Sequence, residues 1–476
     1  MKSPLQKALD PSLFREQAHQ LVDMLADYFE QVRKEGNMPV LDWQSPEAAL
    51  AKWQQKIGEQ EENPTALFEE ILKDSIHIHS PQFMGHQLSP VAPLAVTANL
   101  LTDFLNNGTG IYEMGSPGSM IEFAVIRKVA QAMGLPEESE GFITSGGTLA
   151  NLTALLAARS FMAKNNVWQE GSTQGLAIMV TEQAHYSVDR AVRIMGWGEA
   201  GIIKIPADDQ FRMRTDLLED YFKQATDEGK QVIAVVGSAC TTATGSFDDL
   251  SAIAGFCEKH HLWFHVDGAH GGALCFSEKY KHKLKGVEKA HSVIMDFHKM
   301  LLTPVVTTAV VFRDKKLSYQ TFSQKASYLF NKTAEEEWFN LGLRTFECTK
   351  PSFAIQVYSL FHTYGQELFN EFVTQVCDAG AFFGQLIAKR EFFELAVQPE
   401  CNIVCFRLVK KGWSAEALDE LNRSIRKRLV ESGKFYIVQT QLNGRQWLRS
   451  TLGSPFTDAR HLEALLDEIE RLGAEN

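Results

Sequence analysis

Val293–Ile294–Met295–Asp296–Phe297–His298–Lys299 decides how this chain is read. A run with the texture of a buried strand ends in a histidine–lysine pair. Burying a lysine costs several kcal/mol unless it is paired, neutral or covalently engaged. Chemistry that needs an anchored, neutral amine, above all a Schiff base with an aldehyde, accepts that cost. By itself the pair is weak, because His-Lys occurs by chance in most chains of this length. Its weight comes from three upstream segments: His265–Val266–Asp267–Gly268–Ala269–His270, Glu182–Gln183–Ala184–His185–Tyr186–Ser187 and Thr144–Ser145–Gly146–Gly147–Thr148. They offer an acid, an aromatic base and a cradle for a phosphate.

The bulk properties bound the alternatives. At 476 residues the chain exceeds one ordinary core, so two or three structural units are expected. Its 47 basic and 59 acidic residues give a net charge of −12, which argues against nucleic acid and anionic membrane surfaces as partners. The seven cysteines form no CxxC, the histidines complete no metal pattern, and scattered thiols suggest a reducing compartment. No metal site is expected. The apolar stretch Pro93–Leu105 is interrupted by Thr97, Asn99, Thr102 and Asp103 and falls short of the roughly 20 residues a spanning helix needs. Met1–Leu5 opens no apolar signal run, so a cytoplasmic location is the default.

Along the chain, Leu13, Phe14, Leu21, Leu25, Tyr28 and Phe29 make an apolar stripe at helical spacing, and residues 1–90 read as a helical arm. From residue 91 to about 350, strand candidates alternate with helical patterns. They are Gly141–Thr144, Leu176–Val180, Gly201–Ile205, Val232–Val236, Leu262–Val266, Ser292–Met295 and Thr307–Phe312. That alternation predicts an α/β fold with a mostly parallel sheet. Residues 351–476 read as a smaller α+β part with strands at Ile403–Leu408 and Phe435–Thr440 and a last helix over Asp458–Leu472.

Each chemical element has a plainer reading when taken alone. Ser145–Gly146–Gly147–Thr148 sits where a strand turns into a helix. Free N–H groups and hydroxyls there attract a dianion, although a simple glycine turn would look the same. Neither GxGxxG nor GK[ST] is present at this turn. Asp267 ends a strand, where α/β sheets bind ligands, and an aspartate there could hold a protonated pyridine nitrogen. At about 4 Å and an effective dielectric near 20 such a pair gains about 4 kcal/mol before desolvation, or about three pKa units. Ala269, two residues on, offers a small surface for a flat ring. His185 could stack on that ring and reach a substrate carboxylate, and Thr242 adds a hydroxyl after another strand. In the order cradle, His, Thr, Asp, Lys, these groups meet the needs of pyridoxal 5'-phosphate.

The same segments resemble the group II pyridoxal-phosphate amino-acid decarboxylases, which include glutamate, cysteine-sulfinate, aromatic amino-acid and diaminobutyrate decarboxylases. The similarity runs from about Glu69 to Leu472 and is most specific at HVDGAHGG (265–272), DFHKM (296–300), EQAHYS (182–187) and TSGGTLANL (144–152). QKASYLF (324–330) and LRSTLGSPFT (448–457) add to it. The resemblance implies a fold-type I homodimer with its site at the interface and an arm crossing the partner. It implies that Lys299 forms the Schiff base, Asp267 pairs with the pyridine nitrogen, Ala269 lies under the ring and His185 stacks over it. Thr144, Ser145, Gly146, Thr148 and His298 would contact the cofactor at its phosphate side, and Thr242 would lie near the aldehyde carbon. Tyr328 matches a loop tyrosine that protonates the substrate α-carbon, Gln87 a glutamine near the cofactor phenol, and Arg449 an arginine that grips a substrate carboxylate.

The expected activity is α-decarboxylation of an L-amino acid, with a diaminobutyrate-like or acidic substrate. Gly108 stands where glutamate decarboxylases carry an asparagine, which argues against glutamate. The HKM and ECTK segments lean toward the diaminobutyrate branch, whose members often carry lysine at the Arg449 position. An aminotransferase or lyase reaction would use the same lysine and aspartate, and a non-catalytic binding protein on this fold is the alternative of a different class.

Overall fold

The protein is described here by a computed structural model covering residues 2–34, 38–59, 63–172, 175–319, 321–322 and 337–475. Its chain divides into two compact units, Gln87–Gly384 with Ala396–Cys405, and Met1–His86 with Gln385–Leu395 and Phe406–Asn476.

In the larger unit β1 (Glu140–Thr144), β2 (Leu176–Thr181), β3 (Ile202–Ile205), β4 (Gln231–Ser238), β5 (Trp263–Asp267), β6 (Ser292–Asp296) and β7 (Thr308–Phe312) form one sheet in the order β1-β7-β6-β5-β4-β2-β3. Valine- and isoleucine-rich runs suit strands buried on both faces, and β1, β2, β5, β6 and β7 are buried along their whole length. Successive residues feed opposite layers. Ala177 and Met179 enter one apolar cluster, whereas Leu176, Ile178 and Val180 enter the other with the helix Gly147–Met162. The β2, β3, β4, β5 and β6 pairings are parallel, and β7 runs against both of its neighbours, β1 and β6. The carboxyl ends of β1, β2, β4, β5 and β6 therefore share one edge. Register then aligns the chemistry: Ser238 pairs with Asp267, while Thr144 and Asp296 both pair with Thr308.

The seven strands expected in this part of the chain all form, with ends differing by one or two residues. Residues beyond 350 also belong to this unit. The helix Ala354–Tyr364 buries Ala354, Val357 and Leu360 and packs on the helices Pro93–Leu105 and Tyr112–Ala132, so contacts run past the boundary drawn at 350 from the sequence.

The smaller unit carries β8 (Phe393–Leu395), β10 (Val438–Leu442), β11 (Arg445–Thr451) and the Phe406–Leu408 end of β9 (Ile403–Leu408), strands of a four-stranded sheet in the order β10-β11-β9-β8. The strand expected from Phe435 begins at Val438, and β11 was not expected as a strand. Its signal is the Asn443–Gly444 pair, both at positive φ (50° and 73°). That is the conformation of a tight hairpin turn, which glycine and asparagine tolerate. The N-terminal stripe forms the helix Pro11–Gln31, which buries none of its residues within the chain.

Candidate active site

The shared strand edge of the larger unit surrounds a cavity of about 150 Å3. Gln87, Thr148, His185, Thr242, Asp267, Ala269 and Lys299 line it, joined by Gly147, Asn151, Ser187, Ser238, Cys240, His270 and Asp296. Seven sequence-predicted residues are thus brought together, six of them from the ends of strands or the segments that follow them and Gln87 from the segment ahead of the helix Pro93–Leu105.

The Asp267 side is built as a directed hydrogen-bond chain. Asn151, one helical turn after Thr148, places its amide nitrogen 2.9 Å from Asp267 Oδ2 and 2.9 Å from Ser187 Oγ. With both N–H groups spent, Asn151 Oδ1 must accept, and it lies 2.9 Å from His265 Nε2. His265 therefore donates from Nε2, and its Nδ1 accepts from Ser292 Oγ at 2.9 Å. Trp263 Nε1, a donor only, closes the chain on Ser292 Oγ at 2.9 Å. Burial drives the His265 pKa well below its ordinary value, consistent with the neutral tautomer this polarity requires. Asp267 Oδ1 also accepts from the Ala269 N–H at 3.2 Å. Both carboxylate oxygens are thus held by donors, while the side chain still faces the cavity.

The same chain reaches His185. Ser187 Oγ lies 2.7 Å from His185 Nδ1, and the Ser187 N–H donates to that nitrogen at 3.3 Å. Burial, partly opposed by the Asp267 charge, lowers the His185 pKa. A neutral ring with Nδ1 accepting carries its proton on Nε2, so His185 presents an N–H donor from its other ring nitrogen.

At the other side, β1 turns into the helix Gly147–Met162 through Gly146 at φ 124°, a backbone that side-chain-bearing residues rarely adopt. A Cβ on Gly147 would come 3.2 Å from Asp296 Oδ1. Lys299 sits three residues beyond Asp296, its Nζ 2.9 Å from Asp296 Oδ2, with Asp296 almost fully buried. Burial opposes the lysine charge, but the Asp296 carboxylate outweighs it and raises the Lys299 pKa. For Asp296 burial works toward a higher pKa, and Lys299 with His298 reverses it to a lowered one. Thr308 Oγ1 donates to Asp296 Oδ1 at 2.5 Å.

Four predicted cofactor contacts do not line the cavity. Thr144 Oγ1 donates to the Gly146 carbonyl at 3.2 Å, and Ser145 Oγ donates to Glu347 Oε1 at 3.0 Å. Gly146 forms the turn itself. His298 is buried, with Nδ1 accepting from the Thr307 N–H at 3.1 Å. Arg449 belongs to the smaller unit, buried on β11. Tyr328 lies outside the described residues. Sequence reasoning missed Asn151, Ser187, Asp296 and Glu347. The available signals were spacing: Asn151 lies i+3 from Thr148 on one helix face, Ser187 two residues after His185, and Asp296 three before Lys299.

These residues fit pyridoxal phosphate. An amine is available for an aldehyde, a doubly held carboxylate for a pyridinium, and a glycine-opened helix N-terminus for a phosphate. Residues 46–409 match the family described as the pyridoxal-dependent decarboxylase conserved domain. The chain is 28% identical over 455 residues to the acidic amino acid decarboxylase GADL1 of Xenopus tropicalis, covering 92% of this chain and 88% of that one. It is 28% identical to an L-2,4-diaminobutyrate decarboxylase of Acinetobacter baumannii, covering 85% and 82%. The crystal structure of mouse CSAD superposes with a TM-score of 0.90 at 25% identity over 98% of this chain and 99% of that one. The chain belongs to the pyridoxal-dependent decarboxylase family. It is an amino-acid carboxy-lyase of fold type I that uses pyridoxal phosphate, as the sequence led one to expect. Among the described residues, no helix is long and apolar enough to cross a membrane.

Proposed function

We propose that the enzyme decarboxylates a small polar L-amino acid, either acidic or diaminobutyrate-like, and that Lys299, Asp267 and His185 carry the reaction. The observation that bears most weight is the convergence of these three side chains on one cavity at the strand edge. Bound pyridoxal phosphate supplies an electron sink for the bond being broken. Lys299 anchors it and returns its amine to release the product. Asp267, oriented by Asn151 and Ala269, keeps the pyridine nitrogen protonated. His185 covers the ring and offers its Nε2 proton to the substrate carboxylate. Gly146, Thr144, Ser145, Thr148 and His298 belong to the phosphate side, Thr242 and Gln87 to the rim of the ring. Tyr328 returns a proton to the α-carbon, and Arg449 grips a substrate carboxylate.

The acidic reading draws on the buried Arg449 and on the name of the GADL1 relative. The diaminobutyrate reading draws on the ECTK and HKM segments and on the Acinetobacter relative. A homodimer in the cytoplasm completes the proposal. Two surfaces support self-association. On the helix Pro93–Leu105, Val96, Leu100, Leu101, Phe104 and Leu105 are exposed, and on the N-terminal helix so are Phe14, Val22 and Leu25.

A panel of diaminobutyrate, ornithine, lysine, aspartate, glutamate, cysteine sulfinate, tyrosine and tryptophan, scored by CO2 and amine, tests the reading. One strong responder among the acidic amino acids or diaminobutyrate is expected, and an aromatic responder would refute the side-chain assignment. Tyr328→Phe should retain cofactor and lose about 10²–10⁴ of its amine production. Undiminished turnover in that variant removes Tyr328 from the mechanism.

A further inference from the structure

Cys240 and Cys401 lie 161 residues apart in sequence, yet their sulfurs are 3.9 Å apart. Cys240 follows β4 and lines the cofactor cavity together with Lys299, Asp267 and Thr242. Cys401 is fully enclosed and packs on the same loop, with its Sγ 3.6 Å from the Gly245 carbonyl. His270, which also lines the cavity, is buried, with Nε2 2.7 Å from Asn402 Oδ1 and Nδ1 lacking a hydrogen-bond partner. The hydrogen bond from Cys240, against burial and with help from His270, holds the Cys401 thiol well below the ordinary thiol range. Two features of a reactive thiol site therefore coincide: a second sulfur in reach and an opening to the cavity. The decarboxylation chemistry derived above uses neither cysteine.

We propose that Cys240 and Cys401 form an oxidisable dithiol whose disulfide shuts down the cofactor site, so that the enzyme is switched off by peroxides or disulfide-type oxidants and restored by thiols. In the oxidation the two thiols give up two protons and two electrons, and one S–S bond forms. Hydrogen peroxide accepts both pairs, its O–O bond breaks, and two waters leave. A disulfide needs its sulfurs at about 2.05 Å, so the bond draws the Cys240 loop, which also carries Thr242, toward the segment holding Cys401. A displacement of about 1 Å at an active site can cost about 10²-fold in rate.

The test uses the cofactor-loaded full-length enzyme with the exposed Cys348 replaced (Cys348→Ser), so that links between molecules stay silent. After treatment with hydrogen peroxide or diamide, thiols are counted, linked peptides are identified by mass spectrometry, and the visible cofactor band and turnover are followed. The expected result is loss of two thiols per chain, a Cys240–Cys401 peptide, and turnover at least about tenfold lower, all reversed by dithiothreitol. Cys401→Ala and Cys240→Ser should each abolish the linked peptide and the reversible inactivation. The proposal is overturned if both thiols survive oxidant, if no such peptide forms, or if Cys401→Ala is inactivated and rescued like its parent.

Discussion

The two ends of the cofactor cavity are built on opposite principles. At the Asp267 end donors and acceptors follow one fixed order, from Trp263 through Ser292, His265 and Asn151 to Asp267, with a branch through Ser187 to His185. At the other end carboxylates crowd a place suited to an anion: Asp296 beside Gly147 and Lys299, and Glu347 on Ser145. One end is satisfied before any ligand arrives, because a buried network left half-matched costs more than none. The other holds its lysine as half of an ion pair that must be rearranged when the amine engages an aldehyde. The difference teaches that orientation is prepaid at the pyridine end, whereas charge is exchanged at the lysine end.

The largest effect is expected from breaking the first end at its terminus. Asp267→Asn removes an attraction of about 4 kcal/mol for a protonated ring nitrogen. Turnover should fall about 10³-fold, with the chain still folded by circular dichroism; activity within tenfold of the parent would deny Asp267 its role. Asn151→Ala removes one hydrogen bond to an anion and strands its partners. Hydrogen bonds to charged groups contribute about 1.5–3 kcal/mol, so cofactor retention, read by dialysis and absorbance, should weaken about 10- to 100-fold. Unchanged retention would show that the ordered network does not act on the ligand.

Asp296→Asn probes the second end and should have the smallest effect. Asp296 raises the Lys299 pKa against burial, so its removal lowers that pKa. Capture of pyridoxal phosphate by cofactor-free protein requires the neutral amine, and its rate profile should therefore shift to lower pH. A profile that stays in place, or moves to higher pH, would show that the ion pair does not control the amine.

Much of the cavity was legible in the sequence, because residues at strand termini in a parallel sheet fall on one edge without knowledge of packing. Lys299, Asp267, His185 and Thr242 were found that way. Asn151 and Ser187 were not, because their importance comes from register and helix phase. Asn151 faces Asp267 only because its helix crosses the sheet face against β5 and β6. Asp296 was quoted within DFHKM but given no role, since an acid beside a phosphate cradle makes sense only once the lysine is seen to be its partner. The strand bearing Arg449 was passed over although Asn443–Gly444 marked its hairpin.

The most direct test of the account is the identity of the residue that carries the cofactor. Borohydride reduction of the loaded enzyme, followed by peptide mapping, should leave the pyridoxyl mass on Lys299 in the peptide containing His298 and Met300. A label on another lysine, such as the buried Lys350 held by Glu122, or no label on a chain that retains its visible band, would contradict it.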